Sequence, residues 1–149
     1  MAEQEQGQKR ALLGLHNAAI AQFMPGLLPT CYSPTSVASV EEMVAEMTSG
    51  TGITAPTGTL AHRPFDVYVI DANLGRPGEV DCSPLKTVLE YIADDVKAGS
   101  NLPDGRVVVI PISGNPDLVA LATGQFEKYG IKCYLNTELR DALSENGIR

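Results

Sequence analysis

The sequence predicts an α/β domain built on a five-stranded parallel sheet of doubly wound (βα)5 type. Residues 67–70, VYVI, and 107–112, VVVIPI, are short apolar runs rich in β-branched side chains and bounded by turn residues. Strands buried on both faces of a parallel sheet read this way. Amphipathic helical patterns with cap residues alternate with these runs, which implies parallel strands joined by right-handed crossovers. At 149 residues the chain is expected to be a single domain, 1–149, with a sizeable core.

Residues 1–9 are polar and are expected to form a loose arm. ALLGL, residues 11–15, is the first strand, weakened by Gly14. Asn17 can cap a helix that carries Ile20, Phe23, Met24, Leu27 and Leu28 on its apolar side, with a kink or stop at Pro25. Residues 31–37 hold a second strand, which Pro34 assigns to the edge of the sheet. Ser39 and Glu42 form a capping box before a helix whose apolar face is Val40, Met43, Val44 and Met47.

Residues 49–64, rich in Gly, Thr and Pro, are expected to be a long mobile loop. They lack the Lys of a phosphate-binding loop and the spacing of a dinucleotide fingerprint. Ser83 and Pro84 read as N-cap and first position of a helix with Leu85, Val88, Leu89, Ile92 and Val96 inward, stopping near Gly99. A turn at Gly105 leads into the strand of residues 107–112, where Pro111 belongs near the end or at a bulge. Asn115 and Pro116 start a helix with Leu118, Val119, Leu121, Ala122 and Phe126 inward, ended by Gly130. IKCYL, residues 131–135, is the last strand, and Thr137 is expected to cap a final helix carrying Leu139, Ala142 and Leu143.

Composition narrows the function. A net charge of -7 and the absence of any Lys/Arg run argue against nucleic-acid binding. Aromatic content of 5% offers few stacking platforms for bases. Cys31, Cys82 and Cys133 have no Cys-x-x-Cys spacing, and His16 and His62 add no ligand pattern, so no zinc site is expected. Free thiols suit a cytoplasmic protein, and no signal peptide or membrane anchor is legible, so no membrane partner is expected.

Candidate site residues follow from the sheet. Open α/β sheets bind ligands beyond the carboxyl ends of their strands. Asp71, Ser113, Thr137 and the His16–Asn17 pair all fall there. The motifs FDVYVIDANLG, VVVIPISGN and GIKCYLNTELRDAL, in this order, resemble the receiver domain of two-component response regulators, over nearly the whole chain. The resemblance implies a CheY-like (flavodoxin-type) fold with strand order 2-1-3-4-5. It makes Asp71 the equivalent of the phosphoacceptor, Asn73 the residue whose carbonyl meets Mg²⁺, Ser113 the hydroxyl that binds the phosphoryl group, and Tyr134 the switch aromatic.

The departures from that family are as informative. An acidic pair follows the family's first strand, where this chain has His16 and Asn17. A Lys followed by Pro ends its fifth strand, where this chain has Thr137 and Glu138. Mg²⁺ is a hard cation that prefers carboxylate oxygens, and phosphoryl transfer rests on positioning and charge neutralisation. The expectation is a pseudo-receiver: a non-enzymatic signalling module with no cofactor, acting on a signalling protein partner, a histidine kinase or a second copy of itself. The family's docking face would here include Tyr134, Asn136, Glu138 and Arg140. One alternative is a divergent receiver still phosphorylated on Asp71, the one case in which Mg²⁺ enters. Another is a small α/β nucleotide-binding protein or enzyme using residues 49–64.

Overall fold

The computed structural model describes residues 9–48, 65–76, 79–90, 108–127, 131–146 and 148. Five strands form one sheet: β1 (Lys9–Gly14), β2 (Tyr32–Val37), β3 (Val67–Asp71), β4 (Val108–Ser113) and β5 (Tyr134–Leu135). Every pairing is parallel, in the order β2-β1-β3-β4-β5. The helices are α1 (Ala18–Phe23), α2 (Val40–Thr48), α3 (described over 83–90), α4 (Pro116–Gln125) and α5 (Leu139–Glu145), with a 3₁₀ turn at Met24–Leu27.

The sheet lies between two helical layers, and the alternation of strand side chains assigns each residue to one of them. Leu12, Tyr68, Ile70 and Val109 pack with Met43 of α2, Leu85, Val88 and Leu89 of α3, and Leu118 and Ala122 of α4. Leu13, Val67, Val69, Ile110 and Ile112 face the other way, against Met24 and against Leu139, Ala142 and Leu143 of α5. β3 and β4 are buried at every position, which explains their unbroken apolar sequence.

Gly14 does not weaken β1; close packing requires it. A Cβ there would lie 2.6 Å from Met43 Sδ and 3.1 Å from Leu74 Cδ2, so its absence lets α2 and the β3–α3 loop close over the strand. β2 is an edge strand, as Pro34 predicts. Leu15 N–H donates to Val37 O, so Val37 faces β1, and alternation turns Pro34 outward, where no donor is needed.

The last strand is shorter than residues 131–135. Ser113 O accepts from Asn136 N–H, so odd-numbered residues of β4 face β5, and Pro111 has no N–H to offer there. The ladder begins only at Ile112↔Tyr134. Cys133 N–H turns outward to Thr123 Oγ1 and Leu135 N–H to Glu138 Oε1.

Helix starts follow the cap signals with two exceptions. Asn17 Oδ1 accepts from Ala19 and Ile20 N–H, Ser39 Oγ from Glu42 N–H, and Asn115 Oδ1 from Asp117 N–H. Thr137 is not the cap of α5: Glu138 holds that position, without a side-chain bond to the helix. At α3 it is Asp81 that accepts from Ser83 N–H and Oγ–H. Two residues expected inward face solvent: Phe23 is 53% exposed because α1 ends there as the chain tightens into the Pro25 turn, and Leu121 is 43% exposed on the outer side of α4. Lys9, expected in the loose arm, instead begins β1; the rest of the arm, the loop of residues 49–64, the Met47 side chain, Ile92, Val96, Gly99, Gly105, Val107 and Gly130 lie outside the described residues. No helix among the described residues is long and apolar enough to cross a membrane.

Candidate functional site

The carboxyl ends of β1, β3, β4 and β5 surround a cavity of about 410 Å³. His16, Asn17, Asp71 and Asn73 line one side; Ser113, Gly114, Asn115 and Asn136 line the other. Five of the residues singled out in the sequence therefore meet: His16, Asn17, Asp71, Asn73 and Ser113.

Asp71 ends β3 and is 4% exposed. Its Oδ2 accepts from the His16 backbone N–H at 2.9 Å. Burial pushes its carboxyl above the usual 3.8, opposed by the His16 N–H, the His16 ring and the Asn17 N–H. Desolvation penalises the ionised form more than these partners restore it.

His16 is the residue that turns to Asp71. Its Nδ1 accepts from Gly75 N–H at 2.9 Å, so Nδ1 carries no proton and the ring is the Nε2–H tautomer. Nε2 points to Asp71 Oδ2 at 3.8 Å, an electrostatic rather than a hydrogen-bonding distance. Nδ1 is thus occupied by the Gly75 N–H, while Nε2 faces Asp71 without a hydrogen bond to it. Gly75, at φ +79°, supplies the left-handed turn that aims its N–H at the ring. Asn17 does not point its side chain at Asp71, because Oδ1 is committed to capping α1.

Asn73 is buried and staples its own loop. Its Nδ2 donates to Arg76 O at 3.1 Å and Glu79 O at 3.0 Å, while its carbonyl accepts from Arg76 N–H at 2.7 Å. Arg76 extends away, its Nη1 3.3 Å from Asp81 Oδ2. Buried Ser113 accepts from Asn115 N–H at Oγ.

Two expected site residues lie elsewhere. Thr137 lines a separate depression with Phe23 and Leu139, and Asn136, one residue earlier, takes the place over Asp71. Tyr134 is not beside Ser113. It packs with Ile112, Leu139 and Ala142, and its hydroxyl donates to Glu145 Oε1 at 2.9 Å. Alternation along β5 places Cys133, not Tyr134, in the layer that contains Val109. Asn136 and Asn115 were missed as site residues. The signal for Asn136 was Gly114, since a Cβ at that position would sit 3.0 Å from Asn136 Nδ2.

The fold is shared with known proteins of low sequence identity. It is similar to the phosphorylated cyanobacterial phytochrome response regulator RcpA, at 15% identity over 93% of this chain and 94% of that one, with a TM-score of 0.54. The fold is that of a response-regulator receiver. A likeness also extends to the Mn²⁺-bound form of response regulator Rcp1, at 15% identity over 91% of this chain and 92% of that one, with a TM-score of 0.49. No protein-family model matches the receiver-like chain, and no curated protein matches it.

Proposed function

We propose that this receiver-like domain is a pseudo-receiver: a signal-transduction module that works through protein–protein interaction, without Mg²⁺-dependent phosphoryl transfer. One observation carries the reading. Where receivers place an acidic pair, His16 meets Asp71, giving its backbone N–H to Oδ2 and holding its ring in place through Gly75.

The surroundings agree. Among the described residues no Lys or Arg lines the cavity, and no group of three or more His, Cys, Asp or Glu could hold a metal ion. The residues present do not fit Mg²⁺, which demands near-octahedral oxygen ligands and gives up water reluctantly. Among the described lining residues Asp71 is the one carboxylate, so the pocket lacks the second and third carboxylates that would offset the cost of stripping water from Mg²⁺. A transferring phosphoryl group would also meet no ammonium among the described lining residues to balance its charge.

The test is Mg²⁺ titration followed by NMR shifts, with intact mass measured after treatment with a small phosphodonor. The wild-type protein should show neither millimolar Mg²⁺ binding nor a mass gain. His16→Asp with Asn17→Asp should bind Mg²⁺, and adding Asn136→Lys should then permit phosphorylation. Asn136 rather than Thr137 is the position to change, because Asn136 lines the Asp71 pocket. Mg²⁺-dependent gain of one phosphoryl group on wild-type Asp71 would overturn the reading in favour of a divergent, active receiver.

A further inference from the structure

We infer that the Asp71 pocket receives a guanidinium group, carried into it on the arginine side chain of a protein partner. The inference rests on the pseudo-receiver reading and adds the chemistry of what that module binds.

The hydrogen-bond commitments around the cavity define what it can accept. Asp71, Asn73 and Ser113 are each more than nine-tenths buried and line it. An ionised carboxylate offers about four acceptor positions. The N–H groups of His16 and Asn17 account for two at Asp71, which leaves acceptor capacity toward the cavity. Asn73 spends Nδ2 on the carbonyls of Arg76 and Glu79, so the part of its amide left to offer is Oδ1. Asn136 has no side-chain hydrogen bond among the described residues, and its amide can present Oδ1 as well.

Three acceptor groups therefore converge, and the sole carboxylate among the described lining residues brings one negative charge. The His16 ring only partly offsets that charge: its Nδ1 accepts from Gly75 N–H and its Nε2 stands 3.8 Å from Asp71 Oδ2. A monocation matches this charge where Mg²⁺ does not. Guanidinium suits it better than ammonium: its planar fork of five N–H donors can serve several acceptors at once, and it sheds water more readily. The cavity volume of about 410 Å³ leaves space for the group and part of its aliphatic stem.

The probe is N-acetyl-arginine methylamide, titrated into the full chain and followed by the NMR shifts of the Asn73 and Asn136 side-chain amides. The controls are the same compound built on citrulline, a neutral isostere, and free guanidinium ion. Saturable shifts with the arginine probe, at least tenfold weaker with citrulline and at least tenfold weaker in Asp71→Asn, support the inference. Absence of saturation, equal response to citrulline, or unchanged binding in Asp71→Asn overturns it. Tighter binding of free guanidinium than of the arginine probe overturns the assignment to a protein side chain. Failure on any of these counts leaves the pseudo-receiver reading standing, provided that wild-type protein still takes up neither Mg²⁺ nor phosphate.

Discussion

Asp71 carries a cost that its neighbours only partly offset. Burial holds its folded-state carboxyl above the ordinary 3.8, so between those two values the folded chain binds more protons than the unfolded one. Stability from this group is full below the unfolded value, falls as pH rises through the folded value, and stays lower above it. Asp71→Asn keeps an oxygen for the His16 N–H and removes the charge. It should raise the melting temperature at neutral pH and change it little below about pH 3, where the carboxyl is protonated in both states. A lower melting temperature at neutral pH would show that the ionised carboxylate stabilises the fold. Asp71 and Ser113 were legible as site residues because each ends a buried run. For His16 the sequence left pairing with Asp71 open beside a capping or surface role, because its two bonds go to residues 55 and 59 positions away.

The elements are fixed by local chemistry, but their lengths and packing are not. β1 runs through Gly14 because Met43 and Leu74 occupy the space of a side chain. Gly14→Ala should destabilise the protein by about 1–3 kcal/mol, the usual cost of overpacking a filled core. In a Met43→Ala background, itself destabilised by loss of a buried side chain, Gly14→Ala should cost less than in the wild type because the colliding sulfur is gone. Chemical denaturation of the single and double variants measures both, and a neutral Gly14→Ala would show that Met43 moves aside freely. β5 teaches the same lesson. Its sequence reads as five strand residues, yet the ladder starts only at Tyr134, since Pro111 on the neighbouring strand has no donor to give. No scan of residues 131–135 alone can see a proline twenty residues earlier.

Across the whole molecule, the two helical layers sort the cysteines. Cys31 is exposed at the entry to β2, while Cys82 and Cys133 sit in the layer with α3 and α4. Burial is the main cause that pushes the Cys133 thiol up to about 12, and it raises Cys82 as well. The thiolate is the reactive form, so iodoacetamide should modify Cys31 first and reach the other two only on unfolding. Peptide mapping after a short exposure checks this, and early modification of Cys133 would contradict the packing of β5 against α4. The same layering moved Tyr134. As an aromatic near the end of the fifth strand it reads as a switch residue, but alternation turns it to the α5 side, where Glu145 takes its hydroxyl.

The sequence by itself determined the alternation of strands and helices, the buried central strands, most of the helix caps and the place of Asp71 at a strand end. Each depends on residues within a few positions of one another: an apolar run, an Asn before a helix, a Pro at an edge. The tertiary structure decided which side chains meet. It set His16 rather than Asn17 against Asp71, put Asn136 rather than Thr137 over the cavity, and turned Tyr134 away from Ser113. A strand's register and a side chain's face change with every single residue, and neighbouring strands fix them through the hydrogen-bond ladder.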